Sequence, residues 1–140
     1  MRALPLAVLV LACGSGSSKP SGPKQPPKSA AYAELERRIP KLVAAMDQLA
    51  TDLAAVNDDC PKIAAVLRKW GSVYAIELDA LWELKNKLTP DERELYEHDH
   101  EEDANRLGPV FDASISSCHG DEEVEDALTI AGFRRVETAR

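Results

Sequence analysis

Three things are scarce in this chain of 140 residues: strand-like alternation, cysteine, and apolar runs long enough to cross a bilayer. No segment alternates apolar and polar residues with the period of two that a half-buried strand requires, which argues against a sheet. The longest apolar stretch, Ala3 to Leu11, falls well short of the about 20 residues a membrane-spanning helix needs. No serine stands in the strand–turn–helix setting of an exposed nucleophile, so Ser-His-Asp catalysis has no support, and neither has Cys-His catalysis. Cationic charge is also missing where nucleic-acid binding would need it. Of 17 Lys and Arg, four lie at or before residue 28, which leaves 13 against all 24 Asp and Glu and a net charge near −11 on residues 29–140. Such a surface repels phosphates, so no nucleic-acid partner is expected.

What is present starts at the N-terminus. Met1-Arg2 supplies a short positive start and Ala3 to Leu11 an apolar core, the plan of a signal peptide. The stretch Val10-Leu11-Ala12-Cys13 resembles the lipobox of bacterial lipoproteins, a resemblance confined to the first 13 or so residues. It implies removal of residues 1–12, a diacylglycerol on the Cys13 thiol and an acyl chain such as palmitate on its amine. The protein would then face the periplasm. In that family an Asp after the cysteine often signals inner-membrane retention, and Gly14 in that place implies the outer membrane instead. An ordinary cleaved signal that leaves Cys13 as a free thiol is the alternative.

Residues 14–28, GSGSSKPSGPKQPPK, hold nothing that could build a core. Gly and Ser make the first part flexible, and the Pro cluster favours extended polyproline II in the second, at roughly 3 Å per residue. Lys19, Lys24 and Lys28 make this tether basic, suited to an anionic surface.

From residue 29 onward the apolar spacing is helical. Tyr32, Leu35, Ile39, Leu42, Met46, Leu49, Leu53 and Val56 follow steps of 3 and 4 without exception, with Pro40 off the seam as an expected kink. Asn57-Asp58-Asp59 ends that helix. A second begins at Cys60-Pro61 and carries Ile63, Leu67, Trp70, Tyr74, Glu77, Leu81, Leu84 and Leu88. Thr89-Pro90-Asp91-Glu92 has the chemistry of a capping box, and a third helix is expected to run toward Ser117 with a kink, or a break into two, at Gly108-Pro109. A fourth, after Asp121, uses Val124, Leu128, Ala131, Phe133 and Val136 and is expected to end near the C-terminus. The fold class is therefore all-α, an antiparallel up-down-up-down four-helix bundle over residues 29–140. In that topology Cys60 and Cys118 occupy two turns at the same end, so a disulfide between them is expected; a reduced, buried pair is the alternative.

The most chemical stretch is Glu97-His98-Asp99-His100-Glu101-Glu102-Asp103. Continuing the seam through it places Tyr96, His100, Asp103, Leu107 and Val110 toward the core. Glu77 lies twelve residues before Thr89 and Glu101 twelve after it, so antiparallel packing would bring Glu77 level with His100. Glu97-x-x-His100 is similar to half of the ligand set in di-iron four-helix proteins, but no second such motif exists here. A single zinc or iron ion on Glu77, Glu97, His100 and Asp103 is the candidate site, with a solvated acidic face as the alternative. Haem is disfavoured. Cys118-His119 has Ile115 where a second thioether cysteine would stand, and no helix-4 histidine matches Met46 as it would in the cytochromes b562. Leu88-Thr89-Pro90-Asp91 is similar to the start of the Leu-Thr-x-x-Gln motif of small periplasmic stress chaperones, but Glu92 replaces the Gln and capping explains the residues. Trp82, one step off the seam beside Leu78, reads as core or boundary packing, with a partner-docking patch or dimer face as the alternative. The sequence thus reads as a non-enzymatic, membrane-anchored envelope lipoprotein that binds another envelope protein, with a divalent metal-binding or metal-sensing bundle as the second reading.

Overall fold

A computed structural model describes residues 27–134, and every regular element in that span is a helix. These are α1 (Ala30–Val56), α2 (Cys60–Asn86), α3 (Pro90–Asp99), α4 (Glu101–Ile115), a 3-10 turn (Ser116–Cys118) and α5 (Glu122–Ile130). The signal segment 1–12, Cys13, the tether up to residue 26 and Val136 lie outside the described residues.

Four of the five α-helices begin at a side-chain cap, α4 being the exception. The Ser29 hydroxyl accepts from the Tyr32 amide at 3.2 Å, Asp59 from Lys62 at 3.2 Å, and Asp121 from Glu123 and Val124 at 3.1 Å. Thr89 and Glu92 form the full reciprocal capping box. The α1 seam is buried from Tyr32 through Leu53, with Val56 half-buried at its end, and the helix continues through exposed Pro40 as one element. It stops because Asn57 and Asp58 take left-handed φ values of 34° and 55°, a region Asn and Asp tolerate better than most residues.

Helix α2 packs against both α1 and α5, and so buries two stripes. One is the expected seam, with Ile63, Leu67, Trp70 and Leu81. The other repeats every seven residues as Ala64, Gly71, Leu78 and Lys85. Its small residues set how closely α5 approaches: a Cβ added to Gly71 would stand 2.8 Å from the Ala131 Cα. Leu78 packs 3.3 Å from where a Gly132 Cβ would be.

The third helix breaks, but at His100 rather than at Gly108-Pro109, which lie inside α4. His100 has φ −111° and ψ 9°, and caps α3 at one end and α4 at the other. The cause is electrostatic. In one continuous helix the acidic run would crowd like charges in mid-helix, whereas the break puts Glu101, Glu102 and Asp103 in the first turn of α4, at the positive end of its dipole.

Helix α5 also ends earlier than the apolar pattern suggests. Gly132, at φ 86°, reverses the chain, with the Phe133 amide bonded to the Leu128 carbonyl at 2.9 Å and the Gly132 amide to Thr129 at 3.0 Å. This turn throws Phe133 back into the core, stacked on Trp70 at 4.9 Å and 6.0 Å from Phe111. The described core is one cluster from Tyr32 to Phe133. Cys60 and Cys118 are joined, with sulfurs 2.14 Å apart, across 58 residues of chain. Closing a loop of that size stabilises a fold by about 2–4 kcal/mol.

Candidate functional site

The α3–α4 break is where polar and titratable groups reach the interior. Tyr32 from α1 donates its hydroxyl to Asp99 at 3.0 Å and meets the Tyr96 ring edge-on at 6.5 Å. Tyr96 is fully buried and carries the half-buried His100 ring at 4.6 Å. From α2, Lys85 enters the same region with only 6% of its surface exposed. Its ammonium lies 3.6 Å from Glu97 and 5.6 Å from the centre of the Tyr96 ring. Lys85 continues the heptad stripe of α2, and its aliphatic stem fills a position an apolar residue would otherwise hold.

Burial dominates the electrostatics here. It pushes the Lys85 ammonium below the usual lysine range, against the opposing pull of Glu97. It lowers His100 as well, outweighing nearby Asp103, Asp99 and Glu36, each of which favours the imidazolium. The phenols of Tyr32 and Tyr96 are both raised, chiefly by burial.

A second polar clamp sits at the start of α1. Glu92 accepts the Ser29 amide at 2.6 Å and the Thr89 amide at 3.0 Å, and those bonds hold its carboxyl below the ordinary glutamate range. One carboxylate thereby caps α3 and ties it to the residue where α1 begins.

The four expected metal ligands are not gathered. Glu77 is engaged by Arg38 of α1 through two bonds of 2.8 and 2.5 Å, which lower its pKa. Glu97 faces Lys85, Asp103 takes Arg106 at 3.0 Å, and His100 rests on Tyr96. Among the described residues no group of three or more His, Cys, Asp or Glu is placed to hold an ion. The level match of Glu77 with His100 thus gives way to local ion pairing, for each acid has a cation closer at hand. Cys118 is bonded to Cys60, and Met46 is buried in the apolar core.

Trp82 and Leu78 pack as core and boundary residues. Leu78 is completely buried under α5, and Trp82 is half-buried beside Lys85. The large apolar side chains that face solvent on α2 are Val73, 65% exposed, and Ile76, 88% exposed. Sequence reasoning passed over both because they fall off the seam, and that position is itself the signal: an apolar residue on the outer face of an amphipathic helix. Lys85 could have been found the same way, seven residues after Leu78.

Among the described residues no helix is long and apolar enough to cross a membrane. No protein-family model, curated protein or solved structure matches the chain.

Proposed function

We propose that this chain is a cell-envelope lipoprotein whose helical body works as a non-catalytic interaction module. In this reading residues 1–12 direct export, Cys13 carries the lipid, residues 13–28 form the tether, and the body faces the periplasm, anchored in the outer membrane. Its partners are the membrane, through the anchor, and another envelope protein. The body is read as an up-down-up-down bundle with α3 and α4 sharing the third position. That topology agrees with the disulfide tying the α1–α2 turn to the turn before α5, and with Glu92 tying the start of α1 to the α2–α3 turn.

The observation that carries the reading is the fate of the thiols. The chain has three cysteines; Cys60 and Cys118 are bonded to each other, which leaves Cys13, in its lipobox-like setting, as the remaining thiol. A disulfide in turn suits an exported protein. The test is expression of the full chain in a two-membrane bacterium fed an alkyne fatty acid. The expected result is label and membrane fractionation in the wild type, both lost in Cys13→Ala. A soluble, unlabelled wild-type chain would overturn the reading.

A further inference from the structure

We infer that the groove between α1 and α2 is a docking site for a proline ladder in polyproline II form, and that its occupant is Pro20-x-x-Pro23-x-x-Pro26 of a second copy of this chain. This inference concerns the body and the tether sequence and is independent of the lipid anchor.

The groove has a volume of about 470 Å³, within the range of ligand sites. Most of its lining is apolar: Val56 from α1, and Val66, Trp70, Val73 and Tyr74 from α2. Trp70 is nearly buried, and its indole N–H donates to the Ala45 carbonyl at 3.1 Å, which fixes the ring. Tyr74 lies against it, ring centres 5.1 Å apart, and is only half-buried. Among the described residues the Tyr74 hydroxyl has no hydrogen-bond partner. Asp52 is exposed at the rim, and its partner among the described residues is the neutral amide of Gln48, at 2.9 Å.

An aromatic-lined groove with a free donor suits polyproline II, which is extended before it binds and satisfies none of its own carbonyls. Pro20, Pro23 and Pro26 recur every three residues. That is one full turn of polyproline II, so in that form they share one edge and stand about 9 Å apart. Val66 and Val73 flank Trp70 on α2, about 10.5 Å apart along the helix. Two successive prolines therefore fit on either side of the Trp70 ring. The Tyr74 hydroxyl donates to a ladder carbonyl, and Lys24, beside Pro23, meets Asp52.

Reach decides whose ladder this is. Trp70 is bonded at the level of Ala45, sixteen residues along α1 from Ser29, or about 24 Å. In polyproline II form Pro23 stands only about 19 Å from Ser29, and Pro26 about 9 Å. Each chain also starts on the wrong side. Lys28 is paired with Glu36 at 2.5 Å, and Glu36 precedes Ala45 by nine residues, two and a half turns, so it lies on the opposite face of α1. A second copy has neither restriction. Its basic tether is also attracted by an acidic body.

The test uses protein oxidised at Cys60–Cys118. A dye-labelled peptide of residues 18–28 is titrated with residues 27–140, which contain the whole described core, from about 10 µM to about 1 mM by fluorescence anisotropy. Saturable binding is expected. Val73→Asp in the protein should weaken it by about tenfold or more, as should Pro20→Ala, Pro23→Ala and Pro26→Ala together in the peptide. Tyr74→Phe should weaken it less. Lys24→Glu in the peptide should also weaken it, and Asp52→Lys in the protein should recover that loss. Circular dichroism checks that every protein variant is folded. In sedimentation velocity, residues 14–140 should associate with rising concentration, whereas residues 27–140 should not. Absence of peptide binding at about 1 mM overturns the site. So does binding that a folded Val73→Asp protein or the triple-alanine peptide leaves intact. Peptide binding without association of residues 14–140 overturns the second copy as occupant and leaves the groove to a proline-rich segment of another protein.

Discussion

At the Asn57 end of α1 the body is closed by a disulfide beside two helix-capping carboxylates, Asp59 and Asp121; at the Ser29 end it is closed by carboxylates, hydroxyls and one buried ammonium. At the first end the Cys60–Cys118 bridge joins two turns, and from there α5 runs back to the middle of α2, where Gly71 lies close enough to Ala131 that backbone meets backbone. At the second, α5 does not reach. There Lys85, Glu97, Tyr96, Tyr32 and Asp99 fill the space that a fourth helix would otherwise cover. Apolar contacts and a disulfide change little with pH, whereas hydrogen-bonded carboxylates and a half-buried imidazole respond directly to it. The two ends should therefore fail under different stresses.

The largest expected effect tests the disulfide end. Phe133→Ala removes the ring stacked on Trp70 and should cost about 3–5 kcal/mol in urea unfolding. Replacing both Cys60 and Cys118 with Ser should cost about 2–4 kcal/mol, and the same variant should match the wild type measured under reducing conditions. Gly71→Ala tests how close α5 sits: with a Cβ 2.8 Å from the Ala131 Cα, α2 and α5 must separate, at about 1–3 kcal/mol. At the polar end, Tyr32→Phe deletes the bond to Asp99 and should cost only about 1 kcal/mol.

The smallest effect concerns acidity, and it sharpens the contrast most. His100 has its folded pKa lowered by burial, so the unfolded chain takes up a proton first, near the ordinary histidine value of 6.5. Stability is complete above that pH and declines as the pH falls toward the folded value. Glu92 and Glu77 are also lowered, so their contributions are present above the unfolded value of 4.5 and are lost below it. Hydrogen exchange should show the α3–α4 break and the start of α1 opening on acidification before the disulfide end. His100→Gln should flatten the first part of that decline. If the disulfide end opens first, the division between the ends is wrong.

Where the sequence was legible, a large side chain or a cap announced itself. The α1 seam needed only its apolar spacing, and the starts of α2, α3 and α5 needed only Pro61, Thr89 and Asp121, with the Asp59 cap of α2 seen only in the structure. The second stripe of α2 was hidden because Ala64 and Gly71 are too small to register as hydrophobic pattern, although smallness is what lets α5 approach. The break at His100 was missed because Gly and Pro draw attention as helix breakers, while here accumulated like charge decides the position. The pairing of the four acid and imidazole side chains was hidden for a related reason. Spacing can place four ligand types near one level, but it does not show that Arg38, Lys85 and Arg106 pair with Glu77, Glu97 and Asp103. The early end of α5 was written in Gly132, whose positive φ a helical pattern alone does not reveal.

The Glu92 clamp also fixes how load would travel. A pull on the chain at residue 28 reaches Ser29, whose amide is held by a carboxylate on α3, so the force divides at once between two helices. Beyond that point it runs along the axis of α1, whose seam is buried nearly from end to end against its neighbours. Side chains loaded in shear along a 27-residue helix must slip together, while a helix peeled from its end releases them one turn at a time. A body loaded at residue 28 would in this sense resist by shear rather than by peeling.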